Sequence, residues 1–234
     1  MILLLAATGL WLGTLVHVAV LRLPRRQPVW ASFSRCVTCP GPVVARDLIP
    51  LAPLIYYRGR CPSCGDALGW RGPVIEVTLA VMYAVAWSAF GPSPRLVLAL
   101  ALIPVLVAAT AIDLEWQLLP DRLNLLAAVV GLPLASWTFG SPWPPLAGAA
   151  VAGGILALLA AAVPGGLGGG DVKFAAAFGL YLGGGQALLA LFVAFLAAGV
   201  AGVVLLLTGR KGPRDMIPFG PFLALGAGVA LLAG

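Results

Sequence analysis

Two aspartates stand where apolar segments of this chain meet polar ones. Asp113 ends the apolar run ALALIPVLVAATAI and begins the polar loop DLEWQLLPD. Asp171 follows 58 positions later, directly after the glycine-rich stretch GGLGGG. An ionisable group at membrane depth is expensive to bury, so each of these carboxylates is a candidate functional group.

The interval between Asp113 and Asp171 contains two predicted transmembrane spans joined by a short Pro-rich loop, so that the chain crosses the membrane and crosses back. Both carboxylates are therefore expected at the same membrane interface. Such a pair suits peptide hydrolysis: an ionised carboxylate takes a proton from water, and a protonated one donates to the scissile carbonyl oxygen. Closeness and a low dielectric favour retention of the shared proton that this chemistry needs.

Structural roles compete with catalysis at each acid. Asp171 could act only as a cap on the helix that it begins, but a cap does not require the preceding glycines. Those glycines are expected to adopt positive φ and to let the backbone approach a substrate closely. Asp121, which follows Pro120, is predicted as the N-cap of the next span. Asp215 has the same interpretation, with Arg214 as its partner.

The glycine stretch is not a nucleotide-binding loop. It lacks the Gly-Lys-Ser/Thr ending of a P-loop and does not fit the dinucleotide-binding pattern G-x-G-x-x-G. Small residues spaced by four also pack membrane helices together, so helix packing stays open as a second interpretation of these glycines.

The cysteines form two C-x2-C pairs, Cys36 with Cys39 and Cys61 with Cys64. This spacing predicts a zinc site with four thiolate ligands. Four thiolates leave no open coordination position, so the zinc is expected to be structural. Disulfides are less favoured in a reducing cytoplasm. Two unrelated pairs of reduced cysteines remain the alternative.

Two further ionisable residues lie in the apolar segments. Glu76 lies a few residues inside the second predicted span, where it could pair with an arginine or serve a second reaction. His17, in the first span, is expected to be a packed or pore-facing histidine, since one histidine cannot build a metal site.

The composition predicts the elements that position these residues. The chain is 61% hydrophobic and 9% charged, whereas a soluble domain carries about 25% charged residues. We therefore predict an all-α, polytopic membrane protein. The apolar stretches predict eight transmembrane helices, at residues 1–21, 73–90, 96–112, 123–139, 146–163, 172–185, 187–207 and 217–233.

The positive charges predict the topology. Eight of the fourteen basic residues lie between Arg22 and Arg71. With the N-terminus outside, the cytoplasmic segments become 22–72, 113–122, 164–171 and 208–216, and Arg95 alone among the basic residues faces outside. The net charge of +6 thus indicates topology rather than a nucleic-acid partner.

The ordered motifs resemble those of the bacterial prepilin peptidases, the GxGD-type intramembrane aspartic proteases. The G-x-G-D element is Gly168-Gly169-Gly170-Asp171, followed by VK, and the first-aspartate element begins at Asp113. Further matches are VLRLP, the cysteine pairs, DLIPL, RGRC, Glu76 after a proline, and the closing IPFGPFLALGA. The resemblance covers almost the whole chain.

The resemblance implies an activity and a set of roles. Family members remove a short basic leader from type IV prepilins and pseudopilins after a glycine, at the cytoplasmic face of the inner membrane. Asp113 and Asp171 would be catalytic, with Gly168, Gly170 and Lys173 in the active-site loop. Members with the cysteine-containing segment commonly also N-methylate the new N-terminus with S-adenosylmethionine, for which Glu76 is a candidate residue if it is not structural.

The predicted topology divides the chain into a first transmembrane helix (1–21), a cytoplasmic zinc-binding module (22–72) and a helical core (73–234), which the resemblance identifies with the protease. Prepilins and membrane lipids are the expected partners, and the oligomeric state is not indicated. Two other classes stay open. A transporter would use the buried acids as ion relays, although no internal repeat is visible. A non-enzymatic assembly protein would bind pilin-like helices without cutting them.

Overall fold

The computed structural model describes residues 1–27, 49–56, 58–61, 64–67, 69–163, 166–209 and 217–234. These residues form nine helices and no strand; the only bridge among them is an isolated antiparallel one between Arg60 and Ala67. The all-α fold is therefore confirmed. The helices are α1 (Ile2–Arg22), α2 (Ala52–Ile55), α3 (Arg71–Phe90), α4 (Pro94–Trp116), α5 (Asp121–Phe139), α6 (Trp143–Ala162), α7 (Gly169–Leu182), α8 (Gly184–Leu207) and α9 (Gly220–Ala233).

Six of the described helices are long and apolar enough to cross a membrane: α1, α3, α4, α5, α6 and α8. The chain is thus a multi-pass membrane protein. Each of the eight predicted spans corresponds to a helix, but α7 and α9 have only 14 residues. At 1.5 Å per residue such a helix is about 21 Å long, less than the roughly 30 Å of a bilayer's hydrocarbon core.

The chain divides into two compact units, Met1–Leu96 and Val97–Gly234. In the first unit, α1 packs against α3 through glycines spaced by four. A Cβ on Gly13 would lie 2.5 Å from the Cα of Glu76, and one on Gly9 would lie 2.8 Å from the carbonyl oxygen of Leu79. Small residues therefore allow the two backbones to approach closely, as in many membrane helix pairs.

In the second unit, α7 packs against both α5 and α6. On the α6 side, Gly148 and Gly179 face each other so closely that a Cβ on either would collide with the other's carbonyl group. On the α5 side, Gly131 leaves room for the ring of Tyr181, whose hydroxyl donates a hydrogen bond to the carbonyl of Ala127 (2.9 Å). These contacts hold the helix that begins beside Asp171.

Candidate active site

Asp113 lies in the last turn of α4, with only 5% of its surface exposed. The backbone N–H of Gly220, the first residue of α9, donates a hydrogen bond to its Oδ2 (2.8 Å). A Cβ on Gly220 would lie 2.8 Å from that same oxygen. The closing motif IPFGP therefore supplies a helix start that approaches the carboxylate closely because the residue there is glycine.

Asp171 is the third residue of α7 and is partly buried. Its Oδ2 accepts a hydrogen bond from the backbone N–H of Gly168 (3.2 Å), the residue that caps the helix. The N-cap of α7 is therefore Gly168 and not Asp171, although the Asp171 carboxylate does stabilise the start of the helix. That role satisfies one carboxylate oxygen only.

Asp113 and Asp171 both belong to the second unit, and they are near enough for the charge of one carboxyl group to influence the other. In each residue Oδ2 is held by a glycine N–H group. Across the described part of the chain, Oδ1 of neither aspartate has a hydrogen-bond partner. Two carboxyl groups that interact in this way, each with one oxygen held by a backbone N–H group, are candidates for the acid and the base of general acid–base hydrolysis.

The glycines before Asp171 differ from the prediction. Gly168 has φ −76°, and Gly169 and Gly170 belong to α7, so the predicted positive φ is wrong at these three positions. At Gly168 and Gly170 the absence of a side chain matters instead. A Cβ on Gly170 would lie 3.1 Å from the carbonyl oxygen of Leu119, whereas one on Gly169 would meet nothing within 4 Å.

The sequence predicted Asp121 as the N-cap of α5, and this prediction is wrong. Pro120 occupies the cap position, and Asp121 is the first helical residue. Its carboxylate instead forms an exposed ion pair with Lys173 on α7, with 2.7 Å between Oδ1 and Nζ. Exposed pairs of this kind contribute about 0–1 kcal/mol. Asp215, the other predicted cap, lies outside the described residues.

Asn124 was not among the predicted site residues. Its side chain is 4% exposed, and its Nδ2 donates a hydrogen bond to the carbonyl oxygen of Gly170 (3.3 Å), directly before Asp171. The sequence contains a signal for it, because Asn124 is a polar residue at the start of the apolar run LLAAVVGL.

In the first unit, Glu76 is completely buried on α3. Thr14 on α1 donates its hydroxyl to Oε1 (3.1 Å), and the backbone N–H of Leu51 donates to Oε2 (2.6 Å). Leu51, the last residue of the DLIPL motif, has a φ of +60°, which is uncommon for a residue other than glycine. Glu76 therefore fastens the segment before α2 to the α1–α3 pair. His17 on α1 is buried against Gly72, in agreement with a packed histidine.

Cys61 and Cys64 occupy a tight turn. Gly65, at φ +77°, donates its N–H to the carbonyl of Cys61 (2.9 Å), and the N–H of Cys61 donates to the carbonyl of Asp66 (2.7 Å). Of the two thiols, that of Cys61 is buried and that of Cys64 is exposed. Cys36 and Cys39 lie outside the described residues, within which no group of three or more metal-ligating side chains occurs. The four-thiolate site remains a prediction.

Together, fold and site define a polytopic helical membrane protein with a two-carboxylate centre. Two family models match the chain. The bacterial Peptidase A24 N-terminal domain matches residues 7–90, and the type IV leader peptidase family matches residues 100–203, which include Asp113 and Asp171. The chain belongs to the type IV leader peptidase family, as its motifs indicated.

Curated relatives agree with this assignment. The chain is 34% identical to the prepilin leader peptidase/N-methyltransferase of Bacillus subtilis (strain 168), over 97% of this chain and 92% of the relative. Proteins of the same name from Burkholderia pseudomallei and Aeromonas salmonicida are each 34% identical, over 91% and 86% of this chain and 71% of each relative. No solved structure matches the chain with statistical support.

Proposed function

We propose that this protein is a membrane-embedded aspartic endopeptidase that removes the basic leader of type IV prepilins and pseudopilins after a glycine, and then N-methylates the new N-terminus. Family membership and the names of the relatives support both activities. The observation that supports the peptidase proposal is that Asp113 and Asp171 lie in the same unit, each with Oδ2 held by a glycine N–H group, and near enough for their charges to interact.

In this mechanism, the free oxygen of one ionised aspartate takes a proton from water as the water oxygen attacks the scissile carbonyl carbon. The protonated aspartate donates its proton to the carbonyl oxygen, which gives a neutral gem-diol. The hydrogen bonds from Gly220 and Gly168 keep the opposite oxygen of each carboxyl group fixed, so that both free oxygens hold their directions.

The gem-diol then collapses. The aspartate that took the proton from water returns it to the amide nitrogen as the C–N bond breaks, and the other aspartate recovers its proton from a gem-diol hydroxyl. The leader leaves with a new carboxyl terminus, and the pilin keeps a new amino terminus. The pair ends in its starting state with one shared proton, so each turnover consumes one water.

S-adenosylmethionine would supply the methyl group for the second reaction: its S–CH3 bond would break as the N–CH3 bond forms, and S-adenosylhomocysteine and one proton from the amine would be the other products. Glu76 has a positioning role in this proposal rather than direct contact with the methyl donor. Its burial and its hydrogen bonds from Thr14 and Leu51 support that role.

In this proposal the protein lies in the bacterial inner membrane, with its N-terminus outside and the aspartates facing the cytoplasm. The distribution of positive charge supports this orientation. Residues 22–72 act as a cytoplasmic zinc-binding module, and the Cys61–Cys64 turn, held by Gly65, fits two of its four ligands. Residues 73–234 form the helical core of the peptidase.

The proposal is tested with Asp113→Asn and Asp171→Asn. Each variant should lower leader removal at least about a thousandfold, because neither amide can exchange a proton as a carboxyl group does. Membranes that contain each variant are incubated with a pilin-like substrate and S-adenosylmethionine, and the product is weighed by mass spectrometry. Leader loss and an added methyl group report the two activities separately.

Asp121→Asn is the matched control, because it makes the same chemical change and removes only the exposed pair with Lys173. Its rate of cleavage should be within about threefold of the wild-type rate, because exposed ion pairs contribute little to stability. Normal cleavage by either dyad variant, at wild-type abundance in the membrane, would exclude that aspartate from the catalytic pair.

A further inference from the structure

The peptide group between Gly170 and Asp171 is hydrogen-bonded on both sides. Its carbonyl oxygen accepts from Nδ2 of Asn124 (3.3 Å), and its N–H donates to the carbonyl oxygen of Gly168 (3.1 Å). The orientation of this group sets the direction in which the Cα–Cβ bond of Asp171 points. Asn124 on α5 therefore holds the peptide group that directly precedes the Cα atom of Asp171.

The same peptide group is confined by packing. Leu119, just before α5, lies so close to Gly170 that an added Cβ would be 3.2 Å from the leucine Cβ and 3.1 Å from its carbonyl oxygen. Gly170 thus lies close to Leu119, and its carbonyl oxygen also accepts a hydrogen bond from Asn124 near the start of α5. Sideways movement of the helix start would break one contact or compress the other.

A second observation separates Asn124 from an ordinary packing residue. Its Oδ1 is buried and, within the part of the chain that the structure describes, accepts no hydrogen bond. Leaving a buried acceptor unsatisfied is unfavourable, and a leucine of similar size would avoid it. The Gly170 oxygen can only accept, which fixes Nδ2 towards it. Position 124 therefore requires the N–H donor of the asparagine side chain rather than its volume.

We propose that Asn124 is a positioning residue for Asp171: it holds the Gly170–Asp171 peptide group and thereby aims the carboxylate at Asp113. This inference rests on the proposed function, since it assumes that Asp171 is catalytic. Asn124 does not contact the reacting atoms in this scheme. Its loss should therefore slow the chemical step and leave substrate binding almost unchanged.

The test compares Asn124→Leu with Tyr181→Phe. Each variant removes one side-chain hydrogen bond between α5 and α7, but Tyr181 bonds to Ala127, away from the start of α7. In steady-state cleavage of a pilin-like substrate, Asn124→Leu should lower kcat about ten- to a hundredfold, as expected for a misplaced catalytic group, with KM within about twofold. Tyr181→Phe should keep both constants within about twofold.

Asn124→Ala serves as the second variant if Asn124→Leu does not accumulate in membranes, since alanine adds no volume beside Gly170. It should show the same selective loss of kcat. The inference is overturned if Asn124→Leu or Asn124→Ala keeps wild-type kcat, or if Tyr181→Phe loses as much kcat as they do, because the effect would then be one of helix packing. An active Asp171→Asn measured in parallel would instead overturn the proposed function.

Discussion

Each aspartate of the candidate site is oriented by the backbone N–H group of a glycine. Gly220 donates to Asp113 and Gly168 donates to Asp171. A Cβ on these glycines would lie 2.8 Å and 3.1 Å from the aspartate oxygens that accept the hydrogen bonds. The requirement for glycine at these two places is thus one of space beside a carboxylate, rather than of backbone freedom.

Gly220→Ala should lower leader cleavage about a hundredfold, because the new methyl group must push away the Asp113 carboxylate or break its hydrogen bond. The matched control is Gly228→Ala on the same helix, where an added Cβ meets nothing within 4 Å. Both variants are assayed for cleavage at equal membrane abundance. Equal activities of the two variants would show that close approach at Gly220 is unimportant.

The sequence allowed the aspartate pair to be predicted but not the groups that hold it. Asp113 and Asp171 are recognisable because charges are rare in apolar segments, and the interval between them fits two spans. The donor to Asp113 comes from a residue 107 positions away, which no local pattern indicates. Within Gly168-Gly169-Gly170-Asp171, a Cβ on Gly169 would meet nothing within 4 Å, whereas one on Gly170 would lie 3.1 Å from the carbonyl oxygen of Leu119.

The short helix α7 depends on close packing for the position of its first turn. Gly148 and Gly179 bring the backbones of α6 and α7 together, and Gly153 faces Ala176 one turn further along. Packing between small residues is a main source of helix association in membranes, where the hydrophobic effect between helices is weak. Displacement of α7 from α6 would therefore also displace Asp171.

Gly148→Ala should destabilise the second unit by about 1–3 kcal/mol, the usual range for overpacking, because the added methyl group collides with the carbonyl of Gly179. Gly154→Ala on the same helix adds its methyl group in open space and should leave stability unchanged or slightly higher. Thermal unfolding in detergent provides the measurement. A Gly148→Ala protein as stable as Gly154→Ala would contradict this view of the α6–α7 contact.

Hydropathy predicted the presence of the long helices well, and the ends of the short ones less well. The segments 172–185 and 217–233 became α7 (Gly169–Leu182) and α9 (Gly220–Ala233). α7 begins three residues earlier than predicted, at two glycines that hydropathy treats as neutral, and α9 begins three residues later, after the residues IPF. The starts of α7 and α9 are set by contacts with Leu119 and Asp113, so they depend on tertiary structure that a window of sequence does not contain.

The two compact units correspond to the two family matches, residues 7–90 within Met1–Leu96 and residues 100–203 within Val97–Gly234. The sequence-based boundaries at 22 and 73 followed predicted membrane topology, and they remain predictions. Compactness instead groups α1 with α3, because glycines pack these helices together on either side of the polar segment. Among the described residues, the hydrogen bonds to the aspartate pair come from the second unit, and the Cys61–Cys64 turn belongs to the first.

This division predicts that zinc and cleavage respond to different substitutions. Wild-type protein should contain about one zinc per chain, as expected for a four-thiolate site. Cys64→Ser removes one thiolate, and Cys36→Ser removes one from the other pair, so each should lower bound zinc well below that level. Both should reduce cleavage much less than Asp171→Asn, because in the described part of the chain the groups that hold the aspartates are Gly168 and Gly220, in the second unit.

Metal analysis and the cleavage assay on the same preparations test the division in both directions. Asp171→Asn is the reciprocal control, since it should lose cleavage and keep its zinc. Wild-type protein that is free of metal but active would end the zinc prediction. Loss of cleavage in Cys64→Ser as complete as that in Asp171→Asn, at equal membrane abundance, would show that the peptidase centre cannot work without the thiolate turn that the first unit carries.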